Sequence, residues 1–299
     1  MSVMRAVCKS AVRAIGAAVV VVVSSGSAFA QAADPNPGAV TLTTTFDVLN
    51  TYMFRGIRQN NTGAAMWPAA DFGLAFYTGE GGVKSVGMNL GTWNSLHTGN
   101  TGQDSASGKL WYESDFYATF GLTFGGGFGL GTTYTAYTSP NNGFTSVREV
   151  MFKLGEDDTA ILGKFAMKPY AIFAFEMATD EHEGQADGGL NAGKYLELGI
   201  APSYAGSAAG ISVPVKVGMS MGDYYEHPVT GEDNTFGFFS IAGIVTIPLG
   251  GQTKFGTFNI HGGAEFQALG DTTKYFATDS KGKEQSKIGI YSFGFGWSY

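Results

Sequence analysis

Ile288-Gly289-Ile290-Tyr291-Ser292-Phe293-Gly294-Phe295-Gly296-Trp297-Ser298-Tyr299 closes the chain. From Tyr291 every second residue is aromatic, and the residues between are only Gly and Ser. A period of two belongs to a β-strand, so one face is apolar and the other is small and polar. The edge strand of a soluble sandwich would bury such aromatics in a core, but it would rarely leave the opposite face so bare. A transmembrane β-barrel requires this alternation, because lipid-facing and lumen-facing residues alternate along each strand and aromatics gather at the membrane interfaces.

The other end of the chain reads as an export signal. Arg5, Lys9 and Arg13 precede an apolar run, Ala14 to Val23, and Ala28-Phe29-Ala30 has the small-x-small form of a cleavage site. Residues 1–30 are therefore expected to be a cleaved secretory signal. An uncleaved anchor is disfavoured, since a helix needs about 20 apolar residues to span a bilayer. Cys8 precedes the run and is not placed for lipid attachment; the chain after residue 30 has no cysteine, hence no disulfide framework or thiolate site. Loss of three basic residues and no acidic ones moves the formal charge from −7 to −10, which argues against a nucleic-acid partner.

Residues 31–39 are expected to be a short periplasmic segment and 40–299 the barrel. Glycine, 45 of 299 residues, is spread through the strands; a barrel wall uses it for bends and close backbone approach, whereas helices are weakened by it. Alternation predicts twelve antiparallel strands in an up-and-down meander: 40–55, 65–77, 85–93, 109–124, 128–137, 145–154, 169–178, 194–204, 213–224, 235–248, 256–267 and 288–299. With both termini in the periplasm, the polar connections 94–108, 179–193 and 268–287 face outward, while Gly125 to Gly127 makes a short inward turn. Long outside and short inside is the rule for such barrels. Connection 155–168 is longer than that rule prefers, strand 235–248 is apolar on both faces, and Pro68 should mark a bulge or the true start of its strand.

Charge is expensive in hydrocarbon, so parity assigns the lumen face. On strand 109–124 it takes Trp111, Glu113, Asp115, Tyr117 and Thr119 and leaves Tyr112 and Phe116 toward lipid. The same rule sends Asp47, Arg55, Asp71, Glu149, Glu176, Glu197, Lys216, His261 and Glu265 inward, and leaves Arg148 on the lipid side. Glu113, Glu149, Glu176, Glu197 and Glu265 then fall in the outer half. They are either paired wall residues or a carboxylate vestibule that concentrates cations, with Arg55 a constriction element or the counter-ion of Glu113 or Asp71.

Three stretches resemble the TorF-like porin family of proteobacterial outer membranes: Asn50 to Gln59 with Y-x-F-R-G-x-x-Q, Gly87 to Ser95 with G-x-W-x-S at its end, and Glu113 to Tyr117 with E-x-D-x-Y. The resemblance covers residues 46–117, and Arg58 departs from the small polar residue of the pattern. Tyr291, Phe293, Phe295, Trp297 and Tyr299 resemble the terminal signal that the barrel assembly machinery reads. Membership implies an integral outer-membrane barrel with a channel role, in contact with membrane lipid and lipopolysaccharide.

Catalysis has little support. Twelve-stranded outer-membrane phospholipases use a Ser-His-Asn arrangement, and Asn259, His261 and Ser292 are the residues to weigh. Asn259 and His261 share a lumen-facing strand, away from lipid, and no nucleophile-base pair emerges from spacing. Asp180-Glu181-His182-Glu183 reads as a solvated acidic loop more readily than as a metal site, and the glycine runs lack the lysine and helix of a phosphate loop. The expectation is a passive channel for small polar solutes or ions with a cation preference, without cofactor, metal or enzymatic activity. A closed structural or adhesive barrel is the alternative.

Overall fold

The computed structural model describes residues 39–60, 62–101, 110–177, 184–206, 208–279 and 281–299. The expected signal, most of segment 31–39, and Asp180 to Glu183 lie outside them. Twelve staves form one closed antiparallel barrel: β1 (Val40–Leu49), β2 (Ala65–Thr78), β3 (Val83–His97), β4 (Trp111–Phe124), β5 (Phe128–Thr138), β6 (Val147–Glu156), β7 (Tyr170–Glu176), β8 (Lys194–Ile200), β9 (Val215–Gly222), β10 (Phe236–Pro248), β11 (Thr257–Leu269) and β12 (Lys287–Ser298). Each pairs with its chain neighbours, and β1 pairs with both β2 and β12. The seam reaches the last residue, where Leu42 and Tyr299 exchange both backbone bonds at 2.9 and 2.8 Å. Two staves are kinked at prolines. Below Pro202, Ser203–Ala205 continues β8, and above it Gly210–Ser212 leads through Pro214 into β9.

The terminal strand faces as its sequence requires. Tyr291 and Phe293 are 65% and 61% exposed on the outside, while Gly294 and Gly296 are buried in the lumen. The register of β10 is settled as well: Phe238, Ser240, Ala242 and Ile244 are buried inward, and Phe239, Ile241, Val245 and Ile247 are exposed outward. Arg148 is exposed on the outward face. Pro68 lies inside β2 opposite Phe46, at a gap in the ladder to β3 that suits its missing N–H.

Lumen glycines follow from lumen tyrosines. Gly91 stands opposite Tyr117, and Gly199 opposite Tyr170, in the ladder register. In both cases the phenol ring lies across the glycine so closely that a Cβ would meet it at 2.2 and 2.5 Å. The small face of these strands is therefore filled by the neighbouring strand's ring.

Two expectations are corrected. Strand 40–55 ends at Leu49, and residues 50–64 turn into the barrel; alternation through Tyr52 and Phe54 imitated a longer strand. On β4 the parity of the first residues is reversed, because Tyr112 is an extra, bulged residue between Trp111 and Glu113, which face the consecutive Leu96 and Ser95. Trp111 is 49% exposed outside, and Tyr112, 2% exposed, points inward.

One rim carries both ends of the barrel and the short turns 79–82, 125–127 and 206–209; the opposite rim carries the connections 50–64, 177–193, 223–235 and 270–286. We call these the short-turn and long-loop rims. Replacing Gly199 by Val should overpack the wall and cost about 1–3 kcal/mol. Urea unfolding in lipid should show that loss, and the loss should shrink when Tyr170→Ala removes the ring.

Candidate channel interior

The first long connection builds the site. Asn50 leaves the wall while tied to it, its side chain donating to the Gly289 carbonyl at 3.1 Å and accepting from Tyr291 N–H at 2.7 Å. Met53–Phe54 then pairs with Ile57–Arg58 as a minimal hairpin. Its turn residues Arg55 and Gly56 have φ of 47° and 84°, the mirror-image two-residue turn that needs positive φ at both centres. The Asn60 side chain closes the loop by accepting from Tyr52 N–H at 2.6 Å.

The hairpin is buried inside the barrel mouth. Ile57 is 0% exposed, in a cluster with Leu49, Met53, Tyr224, Tyr225, Phe238, Phe276, Ile288 and Ile290. These come from three staves and three long connections, so the outer lumen holds an apolar core. The helix Asp271–Phe276 lies against the hairpin, and the Arg58 guanidinium donates to the Thr278 carbonyl at 2.9 Å beside it. Tyr52 forms a second centre, its ring 5.1 Å from Trp67 and 5.4 Å from Trp93. Beside it the Tyr112 hydroxyl donates to Gln59 at 2.5 Å.

Arg55 sits at the hairpin tip, not on the wall, and its counter-ion is Glu149 of β6, not Glu113 or Asp71. The pairing is two-pronged, at 2.5 and 2.8 Å, and the guanidinium also donates to the Tyr224 hydroxyl at 2.7 Å. The cation lies 4.2 Å above the Tyr195 ring. Tyr225 completes the cradle by donating to the Arg55 carbonyl at 2.9 Å. Glu149 is buried, so loss of either partner should cost about 3–5 kcal/mol by stranding a charge.

The other carboxylates expected in the outer lumen are occupied too. Glu176 accepts from Ala186 and Gly193 N–H at 2.7 and 2.8 Å. Glu197 accepts from Tyr195 and Tyr170 at 2.7 and 3.0 Å and faces Lys216 at 4.0 Å. Glu113 and Asp115 are buried on β4 next to Tyr52. In the neighbouring loops, Asp187 joins two connections by accepting from Gly189 and Glu226 N–H, both at 2.7 Å. Burial lifts its carboxyl to about 6 against the pull of those bonds.

Elsewhere on the lumen face the charged side chains are part-exposed. Asp71 is held by Asn89 and by Tyr117 at 3.0 Å. Asp47 meets His261 at 2.7 Å, and the other ring nitrogen faces Asn259 at 2.9 Å. With both nitrogens taken, His261 has no free position for a base toward Ser292. Glu265 accepts from Ser240 at 2.6 Å. Lys153 lies 5.0 Å from the Tyr170 ring, on the far side of the barrel from Asp47 and Asp71. Among the described residues no cluster of His, Cys, Asp or Glu has metal-binding geometry.

Sequence reasoning found the charged residues but missed Tyr224, Tyr225 and the helix Asp271–Phe276, whose role depends on loops returning into the lumen. The motif Tyr52-Met53-Phe54-Arg55-Gly56 was the available signal: Arg followed by Gly is a poor lumen wall but a good tight turn. Glu149→Gln should loosen the hairpin. An Ile57→Cys thiol, inert to a water-soluble maleimide in the parent, should then become reactive.

No family model and no curated protein matches the chain. Among solved structures, outer membrane phospholipase A from Escherichia coli has a TM-score of 0.47 at 9% identity, with 85% of this chain and 92% of that one covered. The NanC porin has 0.43 at 10%, covering 87% and 99%. An anion-selective porin from Comamonas acidovorans has 0.37 at 9%, covering 87% and 99%.

Proposed function

We propose that the protein is an outer-membrane channel for passive passage of small polar solutes or ions, held narrow by its own first loop. The observation that carries this reading is the inward hairpin, Met53 to Arg58, latched to Glu149 across the mouth of a lumen whose charged side chains elsewhere stay part-exposed. A barrel that served only as a wall would have no need of part-exposed charges in its lumen, and a general pore would have no apolar core in its mouth. Membership of the TorF-like porin family belongs to the same proposal and rests on residues 46–117. The catalytic alternative loses its base in the Asp47–His261–Asn259 chain.

The cation preference, if carried by the channel, has a different source from the five-carboxylate vestibule. Glu113, Glu149, Glu176 and Glu197 are buried. The part-exposed charges are Asp47, Asp71 and Glu265 against Lys153 and Lys216. This small acidic excess predicts a weak preference. Bilayer recordings should show low conductance in the parent and higher conductance in Glu149→Gln; in a potassium chloride gradient, Asp71→Asn with Glu265→Gln should move the reversal potential toward zero. An unmoved potential removes the selectivity claim. A closed structural or adhesive barrel is the reading left if neither protein conducts.

The aromatic end is proposed as the signal for the assembly machinery. Deleting Tyr299 removes two seam bonds to Leu42, a modest loss in vitro, at about 0.5–1.5 kcal/mol each. It should lower outer-membrane yield in cells far more than refolding yield in detergent. Equal losses in both assays remove the signal role.

A further inference from the structure

The connection between β6 and β7 is an exception on the short-turn rim. It folds residues 157–169 into a short helix, Thr159–Leu162, and a tight turn, Gly163–Phe165, where 125–127 and 206–209 make do with a few residues. This segment shows its apolar side chains outward. Ile161 and Phe165 are 73% and 74% exposed, more than any aromatic of the barrel wall, and Leu162 and Met167 are exposed beside them.

The display is built, not loose. Asp158 accepts from both Met167 and Lys168 N–H at 3.0 Å and so closes the segment on itself. The Met167 carbonyl accepts from Ala201 N–H at 2.8 Å, Lys168 donates to Ser203 at 2.9 Å, and Ala166 is buried. Those contacts fix the turn against the base of the β8 stave. The outward residues just above are Leu154, Leu198 and Tyr204, each exposed on the wall. On the β8 side the apolar belt runs from Leu198 and Ile200 through Tyr204 to the segment, while on the β6 side Glu156 follows Leu154 on the outward face. The acidic groups at its start are turned to its own backbone, Asp157 to Thr159 N–H and Asp158 as above. Lys164 is left on the outside, its ammonium 5.6 Å from the Phe165 ring, the arrangement of a basic group reaching from an apolar surface to headgroups.

We infer that segment 159–167 is an interfacial lipid anchor, its Ile161, Leu162 and Phe165 set in the acyl region of the leaflet at the short-turn rim and Lys164 at the phosphates. The inference rests on the membrane-barrel reading above. Its occupant is phospholipid because the segment hangs directly from the lipid-facing wall, whose exposed Leu198 and Tyr204 adjoin it. A periplasmic protein is the competing occupant.

The chain has no cysteine beyond Cys8 in the expected signal, so a single thiol reports one place. An environment-sensitive fluorophore on Phe165→Cys, or on Leu162→Cys should the first fail to fold, is read in vesicles of phosphatidylethanolamine and phosphatidylglycerol. Acyl chains brominated near the headgroup should quench it several-fold more than aqueous iodide does. The same label on Phe293→Cys should be quenched by bromine deep in the chain, and on Asp279→Cys only by iodide. Iodide quenching at 165 with normal quenching at 293 overturns the anchor and leaves the barrel; loss of quenching at 293 overturns the barrel reading itself. Adding Lys164→Glu should reduce the quenching at 165 in phosphatidylglycerol-containing vesicles, and no change would exclude the phosphate contact.

Discussion

Hydrocarbon offers no partner to a backbone N–H or carbonyl, and each left unsatisfied costs several kcal/mol. A sheet can meet that constraint only by having no edge. The β1–β12 ladder, running from Leu49 opposite Ser292 to the mutual bonds of Leu42 and Tyr299, is what closes this one. Closure then dictates the side chains. Each strand must show lipid one face and the lumen the other, and a single-residue slip would exchange them. The bulge at Tyr112 does this locally, sending its ring in and Trp111 out.

The lumen solves two different problems. Near the long-loop rim it is filled as a soluble core would be, with Ile57 and Phe238 at 0% exposure, because a hairpin, a short helix and two tyrosines return into it. The buried guanidinium there is matched in geometry: Arg55 has Glu149, two phenols and a ring face. Elsewhere on the lumen face Asp47, Asp71 and Glu265 keep partial exposure beside their hydrogen-bond partners. The change from core to polar lumen is what separates a latched mouth from a conduit. The hairpin is held there by the Arg55–Glu149 pair, the Tyr224 and Tyr225 hydroxyls, the packing of Ile57 and the tie from Arg58 to Thr278.

Much of this was legible along the chain. Alternation in 288–299, the small residues opposite the aromatics, and the spacing of twelve such runs are consequences of a period of two and of lipid on one side, both purely local conditions. The charged positions Asp47, Asp71, Glu113, Glu149, Glu176, Glu197, Lys216 and Glu265 followed from the same parity, since each belongs to a regular strand. Arg55 did not, because its neighbours Tyr52 and Phe54 alternate whether the chain continues as wall or turns as a hairpin.

What the sequence by itself determined was therefore the barrel, its strand count and the face of each regular position, because each depends on one strand and its solvent. What only the tertiary structure decided was which carboxylates are spent and which remain available. Arg55 and Glu149 are 94 residues apart, and Tyr224, Tyr225 and Thr278 reach the hairpin from other loops. No local pattern encodes those meetings; they arise when the closed wall brings distant loops into one confined mouth, where burying a charge without a partner is too costly.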